Sequence, residues 1–484
     1  MSSVRSAVIF SSMSIYSMRI LGLAWTMIVA RLLTPSEIGT FAIASSLVML
    51  MGEFKLLGAG SYLVREKEIN DDKIRSALGL TMIMSWGLGG AIFIASPYIA
   101  VFYELPPVET IFRLLAVSFL IAPFISISTA ILQRNFRFQA LFYVKISAHV
   151  IGLTSTIAFI LMGFSFYSLA FGQIIIALVE FSILFVIWPK GAPRFPSFKG
   201  LKPIVGLGIY TSLANMLNRG IVTAPDLVIG KLGSTHQAGI YSRGLGFMEF
   251  LLQSLVMGVT PVALPYLSQT QREKGDLGQA YIKASVLVGG LVCPVLAVAG
   301  LASLPAIRLF FGDQWDAAAP ISLILAIWAM LRTVHWPSNP LLIANGNEKF
   351  MIVKESLIFF PFLAGIIFAY QFGLEAIAVA FVVSGVWEIT VTSIILAKKI
   401  KLSFFRLFKA WLPNIVVTLV CGGTTYLISL MVDFGSSNFW KPILIIAAVM
   451  PPVYLATLKI LSHPLFDELF GLFKMAVQKI TKKA

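Results

Sequence analysis

Several basic residues fall inside long apolar stretches of this chain: Arg19, Arg113, Lys145, Arg219, Arg243, Arg308 and Arg332. Each would cost about 2.5–3.5 kcal/mol on an insertion scale if placed at the centre of a bilayer. Arg113 and Arg308 lie near the ends of their apolar runs, where a long side chain can snorkel to the interface. Arg19, Arg219, Arg243 and Arg332 lie deeper. The guanidinium fork offers paired N–H donors that match phosphate or carboxylate oxygens, so the chemistry on offer is anion binding. The competing reading is internal pairing with Asp226, Glu180, Glu249 or Glu388, which also lie within apolar runs. Asp226, Glu180 and Glu388 are the candidates for an ion pair or for a coupling ion. The basic set is the larger, which favours a cavity that accepts an anion.

The deep basic residues sit on polar stripes at helical spacing. Ser12, Tyr16, Arg19 and Thr26 form one; Ser212, Asn215, Arg219 and Asp226 form another. Arg243 shares a face with Gly246 and Gln253, and Lys145 with His149 and Gly152. Arg332 shares one with His335 and Asn339, beside Pro337 and Pro340. Polar stripes on several apolar helices are expected where a bundle encloses a water-filled cavity. Prolines at 123, 225, 261, 294, 337 and 361 allow helices to bend within the membrane. No catalytic constellation accompanies them. The histidines are scattered, no serine has a triad partner, and no glycine loop with a lysine cradles phosphate, which argues against an enzyme or an ATP-driven pump. Cys293 and Cys421 have no ligand spacing and imply neither metal nor disulfide. No cofactor is implied.

The elements that position these residues must be membrane helices. The chain has 484 residues, 58% of them hydrophobic and only 12% charged, with a mean hydropathy of +0.89. The fold class is an all-α polytopic membrane protein, with about fourteen apolar runs of spanning length. The second covers 38–58, the seventh 203–232, the eighth 238–267, the ninth 281–311 and the tenth 318–343. The first is too long for a signal-peptide core and is expected to be retained as a span.

Charge orients these spans. With the N-terminus in the cytoplasm, the even-numbered connections collect Arg65, Lys67, Lys73, Arg75, Arg134, Arg137, Lys190, Arg194, Lys199 and Lys202, and later Arg272, Lys274 and the cluster from Lys398 to Lys409. The odd-numbered ones hold Glu104, Glu109, Asp313 and Asp316, with Arg31, Lys231 and Lys441 as their clear basic residues. That bias places both termini in the cytoplasm. The net charge of +15 therefore concerns membrane topology rather than nucleic acid. After the last span, Phe466, Leu469, Phe470, Phe473 and Val477 share one helical face with lysines beyond it, which fits an interfacial helix on anionic lipid.

The chain also repeats itself. At an offset of two hundred residues, Arg219 stands for Arg19, Lys231 for Arg31, Leu232 for Leu32, Gly239 for Gly39 and Tyr241 for Phe41. Transporters are often built from such repeats, with the site between them.

Three stretches carry a family resemblance. Ala30-Arg-Leu-Leu-Thr-Pro-Ser-Glu-Ile-Gly39 resembles the end of the first helix in Wzx-type polysaccharide flippases. Phe311-Gly-Asp-Gln-Trp-Asp-Ala-Ala-Ala-Pro320 is similar to a loop before their tenth helix, and Ala344-Asn-Gly-Asn-Glu-Lys349 to the turn after it. These flippases belong to the multidrug/oligosaccharidyl-lipid/polysaccharide (MOP) exporter superfamily. The resemblance implies two pseudo-symmetric six-helix lobes plus two C-terminal helices, as in the MATE and MurJ branches. It divides the chain into an N-lobe over 1–188, a cytoplasmic linker over 189–202 and a C-lobe over 203–397. A basic linker and the last two spans follow over 398–461, then an amphipathic basic tail over 462–484.

The implied function is translocation of undecaprenyl-pyrophosphate-linked oligosaccharide across the bacterial cytoplasmic (inner) membrane by alternating access. It would serve exopolysaccharide, capsule or O-antigen (lipopolysaccharide) synthesis. Arg19, Arg219, Arg243 and Arg332 would bind the substrate. The partners would be this lipid-linked glycan, membrane lipids and the polymerase and export machinery of the same pathway. The alternative is a cation-coupled multidrug antiporter of the same fold, with Asp226, Glu180 or Glu388 as the ion site.

Overall fold

The computed structural model describes residues 2–481 apart from 67, 189–191, 194, 258, 348 and 437. Every regular element among the described residues is helical, because a backbone in lipid must satisfy its own hydrogen bonds. Lys67, Lys190 and Arg194, among the loop charges, lie outside the described residues, as do the side chains of Ser12, Phe473 and Val477.

Two compact units divide the chain, Met1–Ser242 and Arg243–Ala484. The first contains α1 (Ser2–Leu32), α2 (Pro35–Gly52), α3 (Ala59–Arg65), α4 (Asp71–Tyr103), α5 (Pro106–Arg134), α6 (Phe138–Leu161), α7 (Tyr167–Ile187) and α8 (Lys202–Leu232). Helix α9 (Thr235–Val256) begins in the first unit and ends in the second. The second continues with α10 (Thr260–Arg272), α11 (Leu277–Leu301), α12 (Ser303–Phe310), a 3-10 turn (Asp313–Trp315), α13 (Ala318–Thr333), α14 (Ser338–Ala344) and α15 (Lys349–Tyr370). It ends with α16 (Leu374–Ile400), α17 (Phe404–Met431), α18 (Trp440–Ile460) and α19 (Pro464–Thr481). In the first unit α4 packs on α5, α6 on α7, and α2 on α8. In the second, α11 packs on α13 and α17, and α16 on α13 and α15.

Twelve spans among the described residues are long and apolar enough to cross a membrane. The stretches expected as spans seven and eight are not among them. Helix α8 carries Arg219, Asp226 and Lys231, and α9 carries His236, Arg243 and Glu249, so their apolar runs are interrupted. Several expected spans are also subdivided. The eighth is α9 and α10, parted before Pro261, and the ninth is α11 and α12. The tenth breaks over residues 334–337, ahead of Pro337, into α13 and α14. Proline removes a helical donor and clashes with the preceding turn, and Pro261, Pro305 and Pro337 account in this way for all three breaks. The second span ends at Gly52, and Leu57 and Gly58 then take positive φ values of 39° and 70°.

The repeat is physical. Thr34 caps α2 through a reciprocal pair, Glu37 N–H to Thr34 Oγ1 (3.4 Å) and Thr34 N–H to Glu37 Oε2 (2.8 Å). Two hundred residues on, Gln237 N–H donates to Ser234 Oγ and Ser234 N–H to Gln237 Oε1, both at 3.2 Å. Both are capping boxes, which satisfy otherwise orphaned helix donors. The two helix starts also meet. A Cβ built on Gly39 would run into the carbonyl oxygen of Thr235, and one built on Gly239 into that of Pro35. Position 39 faces 235 and 239, and position 239 faces 35 and 39, so the contact is reciprocal. Only glycine permits it.

His463 locks the start of α19. Leu465 N–H donates to its Nδ1 (3.1 Å), so the ring is the neutral tautomer whose Nε2–H donates to Asn414 Oδ1 (2.6 Å). Asn414 in turn donates to Val286 O (3.1 Å), and Tyr454 donates to Gly290 O (2.9 Å) beneath the imidazole. Burial lowers the His463 pKa below its ordinary value. The unfolded chain therefore takes up a proton that the folded chain refuses, and the stability of this lock is present above about pH 6.5 and lost as pH falls below it. The fall in melting temperature between about pH 7.5 and pH 5.5 is expected to shrink in His463→Gln; an unchanged fall would assign the dependence to other groups. Gly39→Ala or Gly239→Ala is expected to cost about 1–3 kcal/mol by overpacking. Gly22→Ala, at a glycine with open space around it, serves as the neutral control in the same thermal unfolding series.

Candidate functional site

Charge placement differs between the units. In the first, Arg219 on α8 reaches Glu53 just beyond the end of α2, with Nε 3.7 Å from Oε1. Both side chains keep partial exposure. Asp226 is not the partner of Arg219: seven residues of helix rise by roughly 10 Å, and the neighbouring helix supplies a nearer carboxylate. Asp226 is buried and accepts from Ser46 Oγ at 2.8 Å, while its Oδ1 has no hydrogen-bond partner. Glu180 on α7 lies in the field of Lys145 on α6 and of Lys55 in the turn after α2. The Lys55 ammonium stands 5.5 Å above the Phe119 ring. Arg19 is half-buried on α1. Arg19, Arg219, Asp226 and Glu180 thus all belong to the first unit.

Arg243, Arg332 and Glu388 belong to the second. The structure brings the last two together, with Arg332 Nε 3.7 Å from Glu388 Oε2 and the side chains 13% and 12% exposed. Arg332 also packs 5.1 Å from the Trp328 ring. It is a committed partner of a carboxylate. Arg243 is different. Its guanidinium lies between Phe311 and Trp315, 5.5 and 5.3 Å from their ring centroids. Both rings are buried. Among the described residues no carboxylate pairs with Arg243, and its Nε has no hydrogen-bond partner. Glu249, two turns further along α9, accepts from Gln253 instead (2.9 Å).

The loop from Phe311 to Asp316 therefore has two physical roles. Phe311 and Trp315 form the faces that hold Arg243. Asp316 takes Arg308 in a forked ion pair, Nε to Oδ1 at 3.0 Å and Nη2 to Oδ2 at 2.7 Å, while Nη1 donates to the carbonyls of Gly435 and Ser436. Arg308 is tied down within the chain. Arg113, the other end-of-span arginine, pairs with Glu109 one turn away.

Some polar residues were missed from sequence. Glu53, Lys55, Lys354 and Glu355 look like interface residues because each lies near the end of an apolar run. Lys354 and Glu355 are nevertheless buried, at 2% and 1% exposure. A hydrogen-bond chain stands beside them: Tyr281 OH with His335 Nδ1 (2.7 Å) and His335 Nε2 with Ser393 Oγ (2.9 Å). The signal available was adjacency of Lys354 to the proline-broken span that carries Ser338 and Asn339.

The second unit also has two apolar crevices. One, of about 390 Å³, is lined by Leu331, Val334, Ile389, Phe408, Trp411 and Leu419 among others. The other, of about 440 Å³, lies among Phe247, Val298, Phe310, Ile446 and Met450. Neither contains a charged side chain, so both suit hydrocarbon.

The two arginines of the second unit should behave oppositely when truncated. Arg332→Ala strands Glu388 and is expected to cost about 3–5 kcal/mol of stability. Arg243→Ala forfeits its ring contacts, about 1–2 kcal/mol, and leaves no buried carboxylate unpaired. Thermal unfolding of the two purified variants against the wild type measures the contrast.

A family model described as "Polysaccharide biosynthesis protein" matches residues 28–320. The teichuronic acid biosynthesis protein TuaB of Bacillus subtilis (strain 168) is 22% identical, over 78% of this chain and 79% of its own. The lipopolysaccharide biosynthesis protein WzxC of Escherichia coli (strain K12) is 21% identical, over 81% of each. Among solved structures, the lipid II flippase MurJ in an inward closed conformation superposes with a TM-score of 0.74 at 16% identity, covering 95% of this chain and 99% of that one. An inward-facing MATE family transporter of the MOP superfamily superposes at 0.65 with 14% identity, over 82% and 99%.

Proposed function

Since the chain belongs to this polysaccharide biosynthesis family, we propose that it is a flippase for lipid-linked oligosaccharide. It would carry undecaprenyl-pyrophosphate-linked repeat units across the bacterial cytoplasmic membrane by alternating access. The observation that carries this reading is Arg243, a cation fixed between two aromatic faces and left without a carboxylate. The rings fix the planar face of the guanidinium and leave its N–H edge for a ligand, and a pyrophosphate or acidic sugar supplies the oxygens that such an edge takes in pairs. Arg219, half-exposed beside Glu53, and Arg19 are the residues of the first unit proposed to meet the same substrate. Arg332 is assigned to it through the field it shares with Glu388. The two apolar crevices suit the prenyl chain.

The further expectations stand as parts of the same proposal. The chain crosses the membrane fourteen times, with α8 and α9 counted as spans despite the charges they carry, and both termini lie in the cytoplasm. Residues 1–188 and 203–397 form the two lobes joined by 189–202. The 398–461 segment adds the last two spans and 462–484 rests on the inner leaflet. Polymerase and export proteins of the same pathway are its partners.

A cation-coupled multidrug antiporter is the second reading. Asp226 favours it, as a buried carboxylate with hydroxyl rather than cationic partners.

Cells lacking the protein are expected to accumulate lipid-linked repeat units that only cytoplasmic reagents reach. Arg243→Ala is expected to reproduce that accumulation at normal protein abundance. Normal surface polymer in the deletion strain would overturn the flippase reading, and a changed resistance to cationic dyes on expression would favour the antiporter.

A further inference from the structure

The buried lysine of the second unit sits in a pocket whose chemistry is that of a cation site. Lys354 Nζ has three protons to donate, and three oxygens receive them: Asn339 Oδ1 at 2.7 Å, Ser338 Oγ at 3.0 Å and Glu355 Oε1 at 3.0 Å. Glu355 is held in turn by Asn339 Nδ2 at 3.3 Å. Amide, hydroxyl and carboxylate oxygens are the set with which proteins bind spherical hard cations. Ser338 and Asn339 come from the first turn of α14, just after the break, and Glu355 from the second turn of α15. The oxygens are thus supplied by elements on two sides of the ammonium.

Cohesion alone does not explain such a pair. Burying two ions costs several kcal/mol apiece, and an apolar pair of similar volume is often neutral or stabilising by comparison. We propose that the Ser338–Asn339–Glu355 pocket is a monovalent-cation site that the chain fills with its own ammonium, that of Lys354. A tethered cation cannot exchange with the medium. The pocket therefore keeps its charge balance at any salt composition, and it also keeps the neighbouring Arg332–Glu388 pair, whose Glu388 feels Lys354, in a fixed field. Any ion that drives transport must enter elsewhere. This inference concerns ion occupancy and does not depend on which substrate is moved.

The test empties the pocket and offers it free cations. Lys354→Ala removes the tether and leaves the three oxygens. Purified in detergent, it is compared with the wild type in chloride salts of ammonium, methylammonium, sodium, potassium and choline at one ionic strength. The variant is expected to be stabilised saturably by the small cations and not by choline. At a concentration about 100 times the Kd, its folding equilibrium should shift by about 100-fold. The wild type should not distinguish among the salts. An Ala variant that responds alike to every salt, or a wild type that shows the same small-cation preference, overturns the proposal.

If the Ala variant does not accumulate in cells, its yield in cell-free synthesis into lipid nanodiscs, with and without ammonium chloride, becomes the readout. Lys354→Met combined with Glu355→Gln, which removes both charges, should accumulate without ammonium. An Ala variant whose yield ammonium leaves unchanged also overturns the proposal.

Discussion

A charge inside a membrane has no water to answer it, and most of this structure can be understood from how each one is answered. Arg332 is answered by Glu388, Lys354 by three oxygens, and Arg308 by Asp316 and two carbonyls. These arrangements fix neighbouring helices and breaks to one another, because separating the partners would strand an ion in a medium that solvates it poorly. Arg243 departs from the pattern. Aromatic quadrupoles stabilise its face, but among the described residues of its unit no carboxylate pairs with its edge. An unanswered charge in a carefully balanced interior is an invitation to a ligand, and this is the ground on which Arg243 is proposed ahead of the other arginines as a substrate contact.

The loop after α12 shows how that exception is maintained. Its aromatic residues hold Arg243, and its aspartate anchors Arg308 and, through it, the connection between α17 and α18. A stretch that has weak helical character by itself thus ties the position of a single guanidinium to the last pair of long helices. The short apolar crevices of the same unit lie against α17 and α18 as well. The guanidinium and the apolar crevices therefore share a scaffold.

Sequence legibility followed the range of the interactions. Apolar run length, the loop charge bias and the offset repeat are local or periodic signals, and they yield the helical membrane class and the relation between α1–α2 and α8–α9. Pairing is not local. On a helical stripe Asp226 looks like the natural partner of Arg219, yet Glu53 from a neighbouring helix takes that place. Arg332 and Glu388 are both visible as buried charges, but nothing in the spacing of 332 and 388 brings them together. Lys354 and Glu355 hide for a different reason: at the end of an apolar run, a residue that snorkels and a residue that is sealed look the same in sequence. The subdivision of the eighth, ninth and tenth expected spans is signalled by Pro261, Pro305 and Pro337, each in or just ahead of the first turn after a break.

The glycine contact at the head of α2 and α9 has a consequence for how this sequence can vary. Because position 39 touches the turn that carries 239, and 239 the turn that carries 39, the two positions present one shared steric requirement rather than two independent ones. At the caps the halves match only in kind, with Thr34 against Ser234 and Glu37 against Gln237 keeping the capping chemistry. At the self-facing glycines a change in one half has no room unless the other half yields as well. The two glycines are thus bound to vary together or not at all.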